Sequence, residues 1–390
     1  MSFLRAARAA LASKNGFPWI LVAMVIVLAG LSLSCGNGSS SAVPNHDAYV
    51  TVPSKGTVLL LHINGTTGVM TAGASTPPVQ NTTPTGLVLL PSRKYLYAIN
   101  SRANTISIFA VASDGTLTLT GAPVSAGSGP NVAVIDPSGQ YLLVTNNFGN
   151  NVSVYSIDAG SGALTEVANS PFYANALPTD ILFTHSGKFV YVTNPGIASV
   201  TAFTFSNGVL TAVPGSPFPA APGGEAADLA VDGSDRFLYV ANPSAANVPP
   251  YMNTTGNISG FNIDPSSGAL TTQIPGSPFT STNGTGPSAI AVDPSGRYLY
   301  AVTPGSSYSI WCFNITPTNG QLTEVTNSPF SLAAGGLFAV IDPVGDFFYV
   351  GSEKGDIVGY SYDQNTGVPK ALPDSPFSTG AEPGLMVFSE

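Results

Sequence analysis

Short apolar runs recur along the chain, each set in the same company. Val132-Ala133-Val134-Ile135 and Ile290-Ala291-Val292 lack polar alternation, which predicts strands buried on both faces. A turn follows, as in Asp136-Pro137-Ser138-Gly139 and Asp293-Pro294-Ser295-Gly296, where proline fixes φ and glycine closes the turn. The next strand is again apolar (Tyr141-Leu142-Leu143-Val144-Thr145-Asn146), and the third alternates (Val152-Ser153-Val154-Tyr155-Ser156-Ile157), leaving one face more polar. A fourth runs from a turn glycine to a Ser-Pro-Phe signature that ends at Phe172, Phe218, Phe279, Phe330 or Phe377. There the proline stops the outer strand, and the phenylalanine is expected to pack between units on the way back to the centre.

The turn glycine sets the count. It recurs at Gly68, Gly115, Gly162, Gly208, Gly268, Gly320 and Gly367, a period of 46 or 47 residues stretched only twice, to 60 and 52. Four strands per repeat and seven marks predict an all-β fold, a seven-bladed β-propeller of four-stranded antiparallel blades. The ends complete it. Residues 49–73 supply strands two, three and four but no innermost strand, and Pro383-Gly384-Leu385-Met386-Val387-Phe388 is an innermost strand with nothing after it. Pairing the N-terminal strands with the C-terminal one closes the ring and removes two exposed edges.

The segment before the repeats differs in kind. Arg5, Arg8 and Lys14 precede an apolar run over residues 19–33, short for a membrane span, and Leu31-Ser32-Leu33-Ser34-Cys35-Gly36 follows its end. This resembles a bacterial lipobox with Cys35 as the lipidated residue, although Ser32 stands where a large aliphatic residue is usual. The expected organisation is therefore a signal peptide over 1–34, a linker over 35–47 and the propeller over 48–390. The implied location is the cell envelope, with membrane contact only through the lipid anchor. From Cys35 onward the body carries nine Lys or Arg against twenty-one Asp or Glu, and only 8% of the whole chain is charged. With no basic stripe, nucleic acid is excluded as a partner.

The motifs Tyr191-Val192-Thr193-Asn194, Val152 to Asp158 and Gly215-Ser216-Pro217-Phe218 resemble those of the lactonase-type seven-bladed propellers. That family includes 6-phosphogluconolactonase and muconate cycloisomerase-type enzymes, and YVTN repeats also occur in surface-layer propellers. The resemblance implies histidine two places after the proline that opens an innermost strand, and glutamate after the asparagine that ends a second strand. Here the first set of positions holds Gly86, Val132, Asp180, Asp228, Ala289, Phe338 and Leu385, and only Glu353 matches the second.

Asp180, Asp228 and Glu353 are accordingly the candidate catalytic residues, since neighbouring carboxylates can share a proton or serve as acid and base. Arg102, Glu225, Lys354 and Asp356 are expected to rim the same face as binding residues, with Lys55 and Glu382. Tyr251 is expected to present an aromatic ring from a long loop over residues 242–257. The three histidines share no metal-ligand spacing, so no metal site is expected and no cofactor, a divalent cation such as calcium aside. Cys312 reads as a buried small hydrophobe. These readings favour a monomeric envelope propeller that binds a small molecule, a carbohydrate or an envelope protein, with the family's catalytic residues largely missing. A sugar-lactone hydrolase and a structural or adhesive surface-layer module stay open as alternatives.

Overall fold

The structure is a computed structural model, and it describes residues 44–79, 82–220, 225–243, 256–280, 286–304, 308–343 and 347–389. Seven antiparallel sheets follow one another along the chain, each with its strands in sequential order from the centre outwards. Six are formed by continuous stretches, and the seventh is composite. In it the innermost strand Met386–Phe388 pairs with His46–Val52, which continues through Thr57–Ile63 to Met70–Ser75. The expected seven-bladed ring is the observed one. The first strand begins at His46, inside the stretch expected to be linker up to residue 47. The reason is that His46 is buried, which the surrounding polar residues do not announce.

Closure rests on a short ladder and its flanks. Ala48, Tyr49 and Val50 face Phe388, Val387 and Met386. Beyond the ladder, Thr51 N–H donates to Leu385 O at 3.0 Å, Gly384 N–H to Thr51 O at 2.9 Å, and Leu385 N–H to the Thr51 hydroxyl at 2.9 Å. At the other end Ser389 N–H donates to Asp47 O at 2.8 Å.

The core lies between the blades rather than within them. Leu143, Val152 and Val154 of one blade pack with Val190 and Val192 of the next, and Phe172 leans on that cluster as expected. The segments that follow the outer strands do more than end them. In five sheets the residues at that place form a short fifth strand that pairs with the far end of the third, as Phe172–Tyr173 does with Val152 and Asn151. All five Ser-Pro bonds of the Ser-Pro-Phe signatures are cis.

The recurring turn glycine has a structural cause. Gly162 sits at φ +70°, and a Cβ there would lie 2.5 Å from the Tyr95 ring of the preceding blade. Left-handed backbone and a ring pressed on Cα leave glycine alone acceptable. The same carbonyls are acceptors: Tyr97 Oη donates to Gly162 O at 3.0 Å, Tyr191 to Gly268 at 2.8 Å, and Tyr300 to Gly367 at 2.9 Å. Across the closure Tyr349 donates to Gly68 O at 2.8 Å and Tyr49 to Gly115 O at 2.9 Å. Burial raises the phenol pKa of these tyrosines, that of Tyr49 to about 12, so the hydroxyls remain protonated donors. The blade formed by residues 130–173 lacks this link because Leu143 occupies the tyrosine position.

Candidate functional site

The innermost strands surround a central channel whose cavity measures about 710 Å³. Its wall is built from the first residues of those strands. Strand order places the loops from fourth to first strands at the same end as the loops from second to third strands, so the opening proline delivers the next side chains to the channel mouth. These side chains form a belt from blade to blade. Thr85 Oγ1 donates to Asn131 O at 3.3 Å, Asn131 Nδ2 to Thr179 O at 3.1 Å, and Ser288 Oγ to Gly336 O at 3.0 Å.

Two carboxyl groups occupy the same belt. Asp180 Oδ2 accepts the Leu229 amide at 3.0 Å, and Asp228 Oδ1 accepts that same amide at 2.9 Å. Asp228 Oδ2 also takes the Ile290 amide of the following blade at 2.7 Å. The two carboxyls thus converge on one N–H and lie within hydrogen-bond reach of each other. Both keep some surface on the channel, yet the encircling protein desolvates them. Burial raises both acids above the ordinary aspartate range, Asp180 well above it, with the negative charge of Asp228 adding to the rise. Two neighbouring desolvated carboxylates resist ionising together, which favours one proton retained between them.

The remaining candidates disperse. Glu382 lines the channel beside Pro383 and Gly384. Glu353 does not: its amide binds Gly335 O at 3.1 Å, and its exposed side chain lies over Gly335 rather than with the aspartates. Lys354 donates to Ala333 O at 2.9 Å, and Asp356 opens the strand Asp356–Tyr362; neither lines the channel. Glu225 is half-buried just before Ala226 and also stands off the channel wall. Lys55 reaches Thr379 O at 3.4 Å. Arg102 lines a separate groove of about 340 Å³ that shares Thr85 and Asn131 with the channel. Tyr251 and Cys35 lie outside the described residues.

The histidines serve structure. His185 binds Asp235 of the next blade at 2.9 Å, and His62 binds Asp47 at 2.7 Å. His46 Nε2 lies 3.0 Å from Asp342 Oδ2 with both side chains fully buried. Cys312 is buried against Gly367 O, and burial pushes its thiol up to about 12. Among the described residues no group of three or more His, Cys, Asp or Glu is arranged to hold a metal.

Sequence reasoning found the aspartates but missed Thr85, Asn131 and Thr179, one place earlier in the same repeat position. It also missed Phe148, a bulky aromatic 75% exposed on the groove. A signal was present, for Phe148 stands alone in the polar stretch Thr145-Asn146-Asn147-Phe148-Gly149-Asn150-Asn151.

Known proteins give this architecture a family. The profile described as lactonase, 7-bladed beta-propeller, matches residues 43–176 and 253–387. No curated protein matches the chain. Among solved structures, a candidate 6-phosphogluconolactonase of Bacteroides fragilis is similar at 20% identity, with a TM-score of 0.75 over 90% of this chain and 99% of its own. A second from Bacteroides uniformis is also 20% identical, with a TM-score of 0.74 over 88% and 99%. A periplasmic gluconolactonase of Pseudomonas aeruginosa is 17% identical, with a TM-score of 0.72 over 88% and 99%. At these identities the likeness is one of fold, and it is the profile, spanning more than half the sequence, that decides membership: the chain belongs to the lactonase family of seven-bladed β-propellers.

Proposed function

We propose that the channel takes an uncharged sugar lactone and that Asp180 and Asp228 hydrolyse it. The observation that carries this reading is the convergence of the two carboxyls on the Leu229 amide at the channel mouth, where burial raises both acids and favours one proton kept between them. Asp228 accepts a proton from water as the water oxygen bonds to the lactone carbonyl carbon. The tetrahedral intermediate then collapses, the ring C–O bond breaks, and the leaving oxygen takes the proton of Asp180. The proton gained by Asp228 returns to Asp180 along the hydrogen bond between them, and the product is the open hydroxy acid. No lysine, arginine or histidine lines the described channel wall, while Glu382 adds a carboxylate. An anionic phosphorylated substrate would meet repulsion there, so the neutral lactone is the better fit.

A second reading, binding without turnover, is favoured by the amides of Leu229 and Ile290, which occupy lone pairs that a base would use. One experiment separates the two. Glucono-1,5-lactone hydrolysis is followed by pH-stat for the protein and for Asp180→Asn and Asp228→Asn, against the spontaneous rate. Loss of about 10²-fold or more in kcat in both variants, with folding intact, is the expected outcome. Binding of the lactone with no rate above background would leave the second reading in place. We also propose that Cys35 carries a lipid that holds the propeller at the cell envelope. Cys35→Ala is then expected to move the protein from the membrane fraction to the soluble one.

A further inference from the structure

We infer that the groove beside the channel is a second sugar subsite, so that the preferred ligand is a lactone extended by at least one more sugar unit. This rests on the proposed lactone reading and adds a substrate class to it. The groove adjoins the channel and shares two of its wall residues, Thr85 and Asn131, which places a second sugar unit within reach of a ligand seated in the channel. One wall is the Phe148 ring. The ring is 75% exposed, yet it is held rather than loose. It packs on Gly129, where φ is +64° and a Cβ would lie 2.5 Å from Phe148 Cδ2.

The loop that carries the ring is fixed on both sides. Asn147 N–H donates to Gly129 O at 2.8 Å, Gly149 N–H to Ser128 O at 3.1 Å, and Asn147 Nδ2 to Pro178 O at 3.3 Å. Gly129 is itself held by Asn104 Oδ1 at 2.9 Å. An exposed ring on a pinned loop is a preorganised platform. The groove is also lined by Ser101 and by Arg102, whose guanidinium is a planar fork of donors suited to hydroxyl pairs. An apolar stacking face beside polar groups is what a sugar ring, apolar on its C–H face and polar at its rim, requires.

The test compares glucono-1,5-lactone with cellobiono-1,5-lactone on the intact protein, on Phe148→Ala and on Phe148→Tyr. The disaccharide lactone is expected to show the lower KM. Phe148→Ala should raise its KM about fivefold to tenfold, leave the monosaccharide lactone unchanged, and be reversed in Phe148→Tyr. Equal effects on both lactones, or none on either, would overturn the subsite. If the protein turns over neither lactone, the hydrolase reading fails by itself, and calorimetric titration with the neutral sugars cellobiose and glucose decides the subsite. Tighter binding of cellobiose, lost in Phe148→Ala, supports it; equal affinities reject it.

Discussion

At the scale of single residues, the aspartate pair yields a pH dependence whose sign is fixed. An acid whose pKa is raised on folding binds its proton more tightly in the native state, so stability falls as pH climbs from the ordinary aspartate value near about 3.9 through the raised one. Asp180 is such an acid, raised first by burial and then by Asp228. Asparagine at position 180 keeps a donor toward Asp228 and has no proton to lose. Asp180→Asn should therefore flatten the stability curve, and its disadvantage against the parent should shrink or reverse as pH rises. Urea midpoints between about pH 4 and pH 9 measure this, and parallel curves for the two proteins would contradict the shared proton. Cys312 gives a second residue-scale outcome. With its thiol raised to about 12 and its side chain buried, alkylation by iodoacetamide at about pH 8 should be slow in the native protein and fast in denaturant. The aspartates could be read from sequence because they stand out at a repeat position otherwise held by apolar residues and glycine. The convergence of both on the Leu229 amide could not, because it depends on the angle between adjacent blades.

At the scale of elements, the strands were legible because each obeys one period, and the turns because Asp-Pro-Ser-Gly has one good geometry. In three blades the turn aspartate gathers its own loop: Asp136, Asp232 and Asp293 each accept the amides four and five residues on and bind the serine hydroxyl two residues on. What periodicity could not show is the contact between turns of neighbouring blades. His46 is the instructive case. It reads as a polar residue before a strand, yet it is buried against Asp342 of the adjacent blade because the composite blade has no turn of its own at that place. Removing one member of a buried pair leaves the other without compensation, so His46→Ala should cost about 3–5 kcal/mol, measured by equilibrium denaturation. His62→Ala, whose pair with Asp47 is partly exposed, should cost under about 1 kcal/mol by the same measurement. Equal costs would refute the distinction. The turn glycine makes a parallel claim. Gly162→Ala combines left-handed strain with a methyl group against Tyr95, and about 2–4 kcal/mol of destabilisation is expected.

At the scale of the whole molecule, every blade shares its core with two neighbours, so the ring stands or falls as a unit. An open arc would leave its first and last blades each with one apolar face bare and, at the closure, the strand His46–Val52 with an unpaired edge. The three paired residues of Met386–Phe388 are thus a small contact with a large consequence, because they complete two inter-blade cores at once. They also shape the site, since Pro383, Gly384 and Leu385 form part of the channel wall. Removing residues 383–390 should therefore lower the melting temperature, broaden the transition and expose surface that binds a hydrophobic dye, while ligand binding in the channel is lost with it. A synthetic peptide of that sequence supplied in trans should restore part of both, as the missing strand re-enters an edge already formed by its partners. By contrast Tyr349→Phe removes one hydrogen bond across the same closure and leaves the strands in place, so about 0.5–1.5 kcal/mol is expected and binding should persist. A shortened chain that melts as sharply and as late as the full one would mean that the blades are stable without the seal, and the channel would then have to be held open by something other than the closed ring.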